Sequence, residues 1–359
     1  MSTTATTTKR DEASTGPNQR VSLKSIAKQL GLSTTTVSVV VNDAPAAKAI
    51  SQETKDRILK VAQELNYRPN YFARSLRQKR SFMVAMILPE ISEGYAASIM
   101  RGIEDRLLLE GYLYFVVSHR GKADLVEEYA HLLIERGVEG LICVNTPLNA
   151  SLPVPVVAVS GERNVPGVTN IAIDNRKAVR LAMEHLAALG HKRIAFFKGH
   201  AGSADTEYRW EGICKTAQKL GVPVLPELTI QLQGSHRGGG EEPSTPDEGY
   251  VHGKKLLERN EPFTALLAFN DMSAIGAMRA FQDHGLRVPQ DVSIIGFDDI
   301  QAASFQNPRL TTVRQPMRRM GELAAVTLLK RINNPEEEQK SVRVQPELIV
   351  RESTAKVGR

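Results

Sequence analysis

Three stretches of this chain recur at near-constant offsets, and that repeat limits the possible folds more than any other feature. Met83-Val-Ala-Met-Ile-Leu88 is echoed by Arg193-Ile-Ala-Phe-Phe197, which sets Val84 against Ile194 at a spacing of 110. Gly102-Ile103, followed by Gly111, is echoed at the same spacing by Gly212-Ile213 and Gly221. Gly140-Leu-Ile-Cys-Val-Asn145 is echoed by Ala265-Leu-Leu-Ala-Phe-Asn270, now at 125. Between these landmarks short β-type apolar runs alternate with runs of helical period. That alternation predicts parallel sheets covered by helices, built twice over residues 81–352. The second copy has gained about fifteen residues, and Gly238–Gly249, rich in Gly, Pro and acidic residues, reads as a flexible inserted loop.

Two Rossmann-like lobes in one chain imply a clamshell, with a ligand cleft beyond the carboxyl ends of the strands. Residues at those ends are Glu90, Ser92, Asn145, Ser160 and Gly161 in the first copy, and His200, Asn270, Asp271, Asp298 and Asp299 in the second. Such a cleft is polar and rich in oxygen acceptors. Only 5% of the chain is aromatic, so stacking on a flat base is not strongly signalled.

Residues 1–80 differ in charge from the rest. They carry 14 Lys/Arg against 6 Asp/Glu, a net of +8, while the remainder carries 32 against 34, a net of −2. A basic end on a neutral body fits a nucleic-acid-binding module, and it also fits a basic solvated surface. Within it, Ile26, Ala27 and Leu30 share one helical face, Gly31 breaks the helix, and Ser33 is a suitable cap for a second. There Val37, Val40 and Val41 face inward and leave Thr34, Thr35 and Ser38 outward. A third helix, capped by Ser51, buries Ile58, Val61, Ala62 and Leu65. Helix, Gly-containing turn and short helix with small polar residues outward is how a helix-turn-helix presents itself to a major groove, although an ordinary three-helix unit would look similar. Residues 67–80 read either as a short helix from Asn70 that folds only when docked, with Arg74, Arg77, Lys79 and Arg80 towards phosphates, or as a charged linker.

Here the chain resembles a known family. Ser-Ile-Ala-Lys-Gln-Leu-Gly-Leu-Ser33, Thr36-Val-Ser-x-Val-Val-Asn42, Leu65-Asn-Tyr-x-Pro-Asn70 and Ala73-Arg-Ser-Leu76 are words of the lactose/galactose repressor (LacI/GalR) headpiece, with the closest look to the purine repressor branch. The body is similar to the effector-binding core of that family, itself like periplasmic binding proteins. Its words include Ile-Asp-Asn175, Arg209-x-x-Gly212, Phe-Asn-Asp271 and Gly285–Asp299, and the resemblance covers nearly everything after residue 20. It implies a helix-turn-helix domain (21–66), a hinge helix or linker (67–80) and a core (81–352), while residues 1–20, rich in Ser and Thr and without an apolar stretch, read as a disordered tail. Lobe 1 would take about 81–173 and 315–344, and lobe 2 about 175–313 and 346–352. DNA contacts are implied at Ser33, Thr34, Thr35, Thr36, Ser38, Val39, Asn42, Tyr67, Asn70, Ala73, Arg74, Leu76 and Arg77, with Leu76 as a minor-groove wedge. Val39 departs from the hydrogen-bonding side chains usual at its position. Effector contacts are implied at Arg209 and Asp298, with Asn270 as a third, and the strand-end positions add Glu90, Ser92, Asn145 and Ser160 as candidates. Asp271 is expected to act as a helix cap and Asp299 to support its turn.

The function that follows is a transcription regulator, a repressor in expectation, with a sugar or sugar derivative as effector and a purine as the alternative. A homodimer is expected, because one recognition helix reads half of a palindromic site in double-stranded DNA. The rivals are an enzyme or a solute-binding protein. No Gly-x-Gly-x-x-Gly, Walker motif or serine elbow is present, which argues against the first; a missing signal peptide and the basic end argue against the second. Cys143 and Cys214 lie in apolar runs and read as buried structural thiols of a reducing cytoplasm, with neither metal nor cofactor implied. No stretch reaches the length of a membrane span.

Overall fold

The computed structural model describes residues 21–67, 75, 79–91, 94–160, 164–201, 204–233, 245–336 and 340–358. The chain divides into two compact units, 1–81 and 82–359. The hinge residues Asn70, Ala73, Arg74, Leu76 and Arg77, together with Ser92, Gly161 and the tract 234–244, lie outside the described residues.

Among the described residues the first unit holds α1 (Leu23–Leu30), α2 (Thr34–Val41) and α3 (Gln52–Glu64). Ser22, Ser33 and Ser51 cap their amino ends, each accepting a backbone N–H three residues on, and Gly31 ends α1 in the left-handed region at φ 66°. Four of the eight residues of α2 are Val, a poor choice for an isolated helix, since branched side chains lose rotamer freedom there. Tertiary packing compensates. Val37 and Val40 join Ile26, Ala27, Ile58 and Ala62 in one small core, with Val41, Val61, Leu65 and Tyr67 around it.

The second unit contains two six-stranded sheets of matching order. In lobe 1 the strands are β1 (Met83–Leu88), β2 (Leu113–Ser118), β3 (Leu141–Val144), β4 (Val156–Val159), β5 (Val168–Ile173) and β11 (Val342–Val344). They lie in the order β11-β5-β4-β3-β1-β2 with every pairing parallel. In lobe 2 they are β6 (Ile194–Lys198), β7 (Thr229–Gln231), β8 (Ala265–Leu267), β9 (Ser293–Asp298), β10 (Thr311–Arg314) and β12 (Glu347–Ile349). Their order is β12-β10-β9-β8-β6-β7, and only the β10–β12 pair is antiparallel. The repeat in the sequence is visible here: β1 and β6 hold the same place in their sheets, as do β3 and β8. These strands are continuous apolar runs because both faces are covered by helices.

Lobe 1 carries α4 (Gly94–Leu109), α5 (Ala123–Glu135) and α10 (Met317–Asn333), with α4 packed on α10. Lobe 2 carries α6 (Asn175–Ala188), α7 (Ala204–Leu220), α8 (Pro246–Glu258) and α9 (Asp271–Asp283), in the pairs α6–α7 and α8–α9. The chain passes from one sheet to the other at 173–175, 314–317 and 344–347. Residues 353–358 stay on lobe 2, where Ser353 Oγ donates to the Ile294 carbonyl and the Val357 N–H to that of Leu189.

Two expectations need correction. The inserted tract is not loop throughout: α8 starts at Pro246, with Thr245 as its cap and Asp247 and Glu248 in the first turn, a full set of helix-start signals inside a Gly/Pro-rich stretch. Cys143 is wholly buried in β3, whereas Cys214 is exposed. On α7 the inward positions are Ile213 and Ala217, and the helical period turns Cys214 outward between them.

Candidate functional site

The outward face of α2 is small and polar. Ser33, Thr34 and Thr35 are exposed, and Ser38 and Val39 are half-buried. Thr36 is less available, because its hydroxyl lies 2.8 Å from Ser33 Oγ, which also accepts the Thr36 N–H. Asn42 is engaged within its own helix, its amide donating to the Ser38 carbonyl at 2.7 Å and lying 3.3 Å from the Ser38 hydroxyl. Tyr67 packs against the headpiece core.

The strand ends of the core bring a charged cluster together. Arg209 lies on α7, not on a strand-end loop, and is only 7% exposed. Its guanidinium stacks against the Phe297 ring at 3.7 Å and the Phe269 ring at 4.7 Å. Nε donates to Asn175 Oδ1 at 3.0 Å and Nη1 to the Phe269 carbonyl at 2.9 Å. Asn175, at the start of α6, in turn donates to Asp205 Oδ1 at 3.0 Å. A guanidinium carries five N–H donors, so this fixed fork keeps donors for a further partner.

Asp298 ends β9 with φ 114°, an unusual conformation for a non-glycine residue, and is buried. Its Oδ1 accepts from the Gln315 amide at 2.6 Å. Burial pushes its carboxyl up to about 7, against the lowering influence of Arg209 and of the Gln315 hydrogen bond. Asp271 beside it has no exposure at all. Burial and the Asp298 charge raise it well above the usual carboxylate range, although it accepts from Thr312 Oγ1 at 2.6 Å and from the Ile300 N–H at 2.9 Å. The cap of α9 is therefore not Asp271 but Asn270, whose Oδ1 accepts the Ser273 N–H in a reciprocal capping box. Asp299, in the left-handed region, accepts from Arg314 Nε at 2.7 Å and Arg351 Nη2 at 2.5 Å and so braces its turn.

Lobe 1 answers with uncharged groups. Tyr95, on the first turn of α4, has its hydroxyl 2.5 Å from Ser160 Oγ, and Ser160 is buried. The Tyr95 phenol is held above its ordinary range by burial first and then by the carboxylate of Asp205; Asp298 raises it further and Arg209 lowers it. A lobe 1 phenol thus lies within electrostatic reach of three charged side chains of lobe 2. Glu90 is partly exposed and accepts its neighbour's Ile91 N–H, and Asn145 is exposed with φ 49°. The structure therefore brings Ser160, Arg209 and Asp298 to one place, with Asn270 nearby on the loop that supplies the Phe269 carbonyl. Tyr95, Asn175, Asp205, Phe269, Phe297 and Gln315 belong to the same cluster. Among them Asn175, Phe269 and Phe297 lay in words carrying the family resemblance; Tyr95 is signalled by no motif. Two buried polar atoms of the cluster have no hydrogen-bond partner among the described residues, Thr206 Oγ1 and Gln315 Oε1.

Among the described residues no group of three or more His, Cys, Asp and Glu is placed to hold a metal, and no helix is long and apolar enough to cross a membrane.

A helix-turn-helix headpiece in one chain with a two-lobed periplasmic-binding-like core defines a DNA-binding regulator. A family model described as bacterial regulatory proteins, lacI family, matches residues 22–70, and one described as a periplasmic binding protein-like domain matches residues 183–354. The HTH-type transcriptional repressor PurR of Pasteurella multocida (strain Pm70) is 32% identical over 342 residues, covering 92% of this chain and 98% of its own. The lac repressor dimer bound to operator and the anti-inducer ONPF superposes with a TM-score of 0.81 at 26% identity, over 94% of this chain and all of that one. The transcriptional regulator CelR in complex with cellobiose gives a TM-score of 0.67 at 26% identity, over 93% of this chain and all of that one. The chain belongs to the lacI family of bacterial regulatory proteins and is a DNA-binding transcriptional repressor of that family.

Proposed function

We propose that this repressor binds a palindromic operator as a homodimer and that a neutral carbohydrate held between the core lobes sets its operator affinity. Thr34, Thr35 and Ser38 would meet base edges, and Leu76 would wedge into the minor groove. The observation that carries the effector reading is Arg209, a buried guanidinium fixed between two phenyl rings with donors to spare, opposite Asp298. Arg donates and a carboxylate accepts, so vicinal hydroxyls, which do both, satisfy the pair. The Tyr95 and Ser160 hydroxyls add partners that serve either way. One guanidinium lies among three carboxyls, Asp205, Asp271 and Asp298, a setting that disfavours an anionic ligand. Similarity to CelR, solved with cellobiose, is in line with this reading.

A purine is the second reading, favoured by the similarity to PurR repressors over more than nine-tenths of the chain. Operators selected from a random duplex pool supply the test. Their affinity is measured by anisotropy with neutral sugars and with purine bases, on wild type and Arg209→Ala. The expected result is a sugar-dependent shift lost in the variant. A shift with purines alone would reverse the order of the readings.

A further inference from the structure

Lobe 1 contains a cavity of about 440 Å³ between the amino-terminal half of α5 and the loop 147–152 that leads from β3 to β4. None of the cleft residues described above lines it. Its wall is apolar where Val126, Ala130 and Leu148 are buried, and Glu127 stands exposed at its rim. The size falls within the range of small-molecule pockets, roughly 300–1,000 Å³.

At its edge lies His119, the residue after β2, only 6% exposed. Its Nε2 is 3.1 Å from Thr146 Oγ1. The Thr146 hydroxyl has a single proton, and it lies 2.8 Å from the Val144 carbonyl and 3.3 Å from that of Ile87, groups that can only accept. Thr146 therefore donates to a carbonyl and accepts from His119, which places the imidazole proton on Nε2. Burial lowers the His119 pKa, so the ring is neutral at pH 7 and Nδ1 carries a lone pair. Nδ1 is buried and has no hydrogen-bond partner among the described residues. An acceptor left without a donor in such a place calls for a ligand or water to supply one.

We propose that this cavity is a second ligand site, separate from the cleft, for a small uncharged molecule that donates one N–H or O–H to His119 Nδ1 and lays an apolar ring against Val126, Ala130 and Leu148. An anion is disfavoured, because Nδ1 is an acceptor and Glu127 is negative. Thr146 follows directly on Asn145, so the site adjoins the strand end that faces the cleft without sharing a side chain with it.

The test uses the full-length protein and two probes of nearly equal shape, indole and N-methylindole, of which only the first can donate. Binding is followed by calorimetry and by the nitrogen resonances of ¹⁵N-labelled histidine. Indole is expected to bind saturably and to shift His119 Nδ1, with N-methylindole weaker by at least roughly tenfold, the loss of one buried hydrogen bond. His119→Gln keeps an N–H donor for Thr146 but removes the Nδ1 acceptor, and Ala150→Trp, on an exposed loop residue of the lining, fills the space. Each should weaken indole by a similar factor. Equal binding of the two probes, no saturable binding of indole, or undiminished indole binding to Ala150→Trp would each overturn the proposal.

Discussion

The two lobes of the core share a strand order but differ in the chemistry at their strand ends. Lobe 1 turns neutral hydroxyls, Tyr95 and Ser160, towards the cleft, while lobe 2 buries Arg209, Asp205, Asp271 and Asp298. What is duplicated is what builds a sheet: apolar strands such as Met83–Leu88 and Ile194–Lys198, and the glycines where helices meet. What has diverged is what touches a ligand. Charge is tolerable inside lobe 2 because the Arg209 guanidinium, though desolvated, is attracted to two ring faces and hydrogen-bonded at two of its nitrogens. The lesson is that one lobe works as an electrostatic clamp and the other as a neutral cover.

The contrast is broken most directly by paired substitutions across the cleft. Arg209→Ala removes a buried cation and leaves Asn175 Oδ1 and the nearby carboxyls without it, which should destabilise the core by about 3–5 kcal/mol. Tyr95→Phe removes one hydroxyl hydrogen bond, worth about 1 kcal/mol. Urea unfolding of the two variants measures both. Equal losses would mean that the lobes do not differ in electrostatic load.

A second pair tests the duplicated glycines, Gly102 of α4 and Gly212 of α7, which are 110 residues apart. A Cβ at Gly102 would lie 2.0 Å from the Arg318 carbonyl oxygen on α10, whereas at Gly212 it would lie 2.6 Å from a Val179 methyl on α6. Backbone cannot yield without separating two helices, and a side chain can turn. Gly102→Ala should therefore cost roughly 2–3 kcal/mol and Gly212→Ala about 1 kcal/mol or less, since alanine also favours the helix. Thermal unfolding ranks them, and the reverse order would show that the α4–α10 contact is the softer one.

These comparisons also mark what was legible before the structure. The β/α alternation, the repeat and the three headpiece helices are local patterns of period and capping, and the sequence carries such patterns openly. The cleft depends on residues distant in the chain. Arg209 meets Phe297 across 88 positions, and Tyr95 reaches Ser160 across 65, so neither contact has a local signature. Arg209 was accessible only through family resemblance, whereas Asp298 was also legible as a strand-end residue. Asn270 and Asp271 were legible as a pair at a helix start, but the cap is Asn270, since Asp271 is turned inward to Thr312 and Ile300. Cys214 looked buried because its neighbours are apolar, and only the rotation of α7 decides the matter.

The last comparison concerns pH, and it separates the lobes by sign and window. The folded Asp298 carboxyl lies at about 7, above its ordinary value of 3.8, because burial disfavours its charge. The native state therefore holds more protons than the unfolded chain between those values, and stability falls as pH rises through that window. Asp298→Asn has no such proton. Its stability relative to wild type should rise between about pH 4 and pH 7 by roughly 3 kcal/mol and then level off. Asp271 acts in the same direction, since loss of the Asp298 charge eases its ionisation. Histidines whose pKa is lowered by desolvation, His119, His185 and His191, have the opposite effect on absolute stability, but they are common to both proteins and cancel in the difference. Tyr95→Phe supplies the lobe 1 control. Its phenol is held above its ordinary range, so the offset of that variant should stay constant from pH 5 to 8 within roughly 0.5 kcal/mol. Urea midpoints for the three proteins across this range decide it. A flat difference for Asp298→Asn would show that the carboxyl stays ionised in the fold, and that Arg209 outweighs burial.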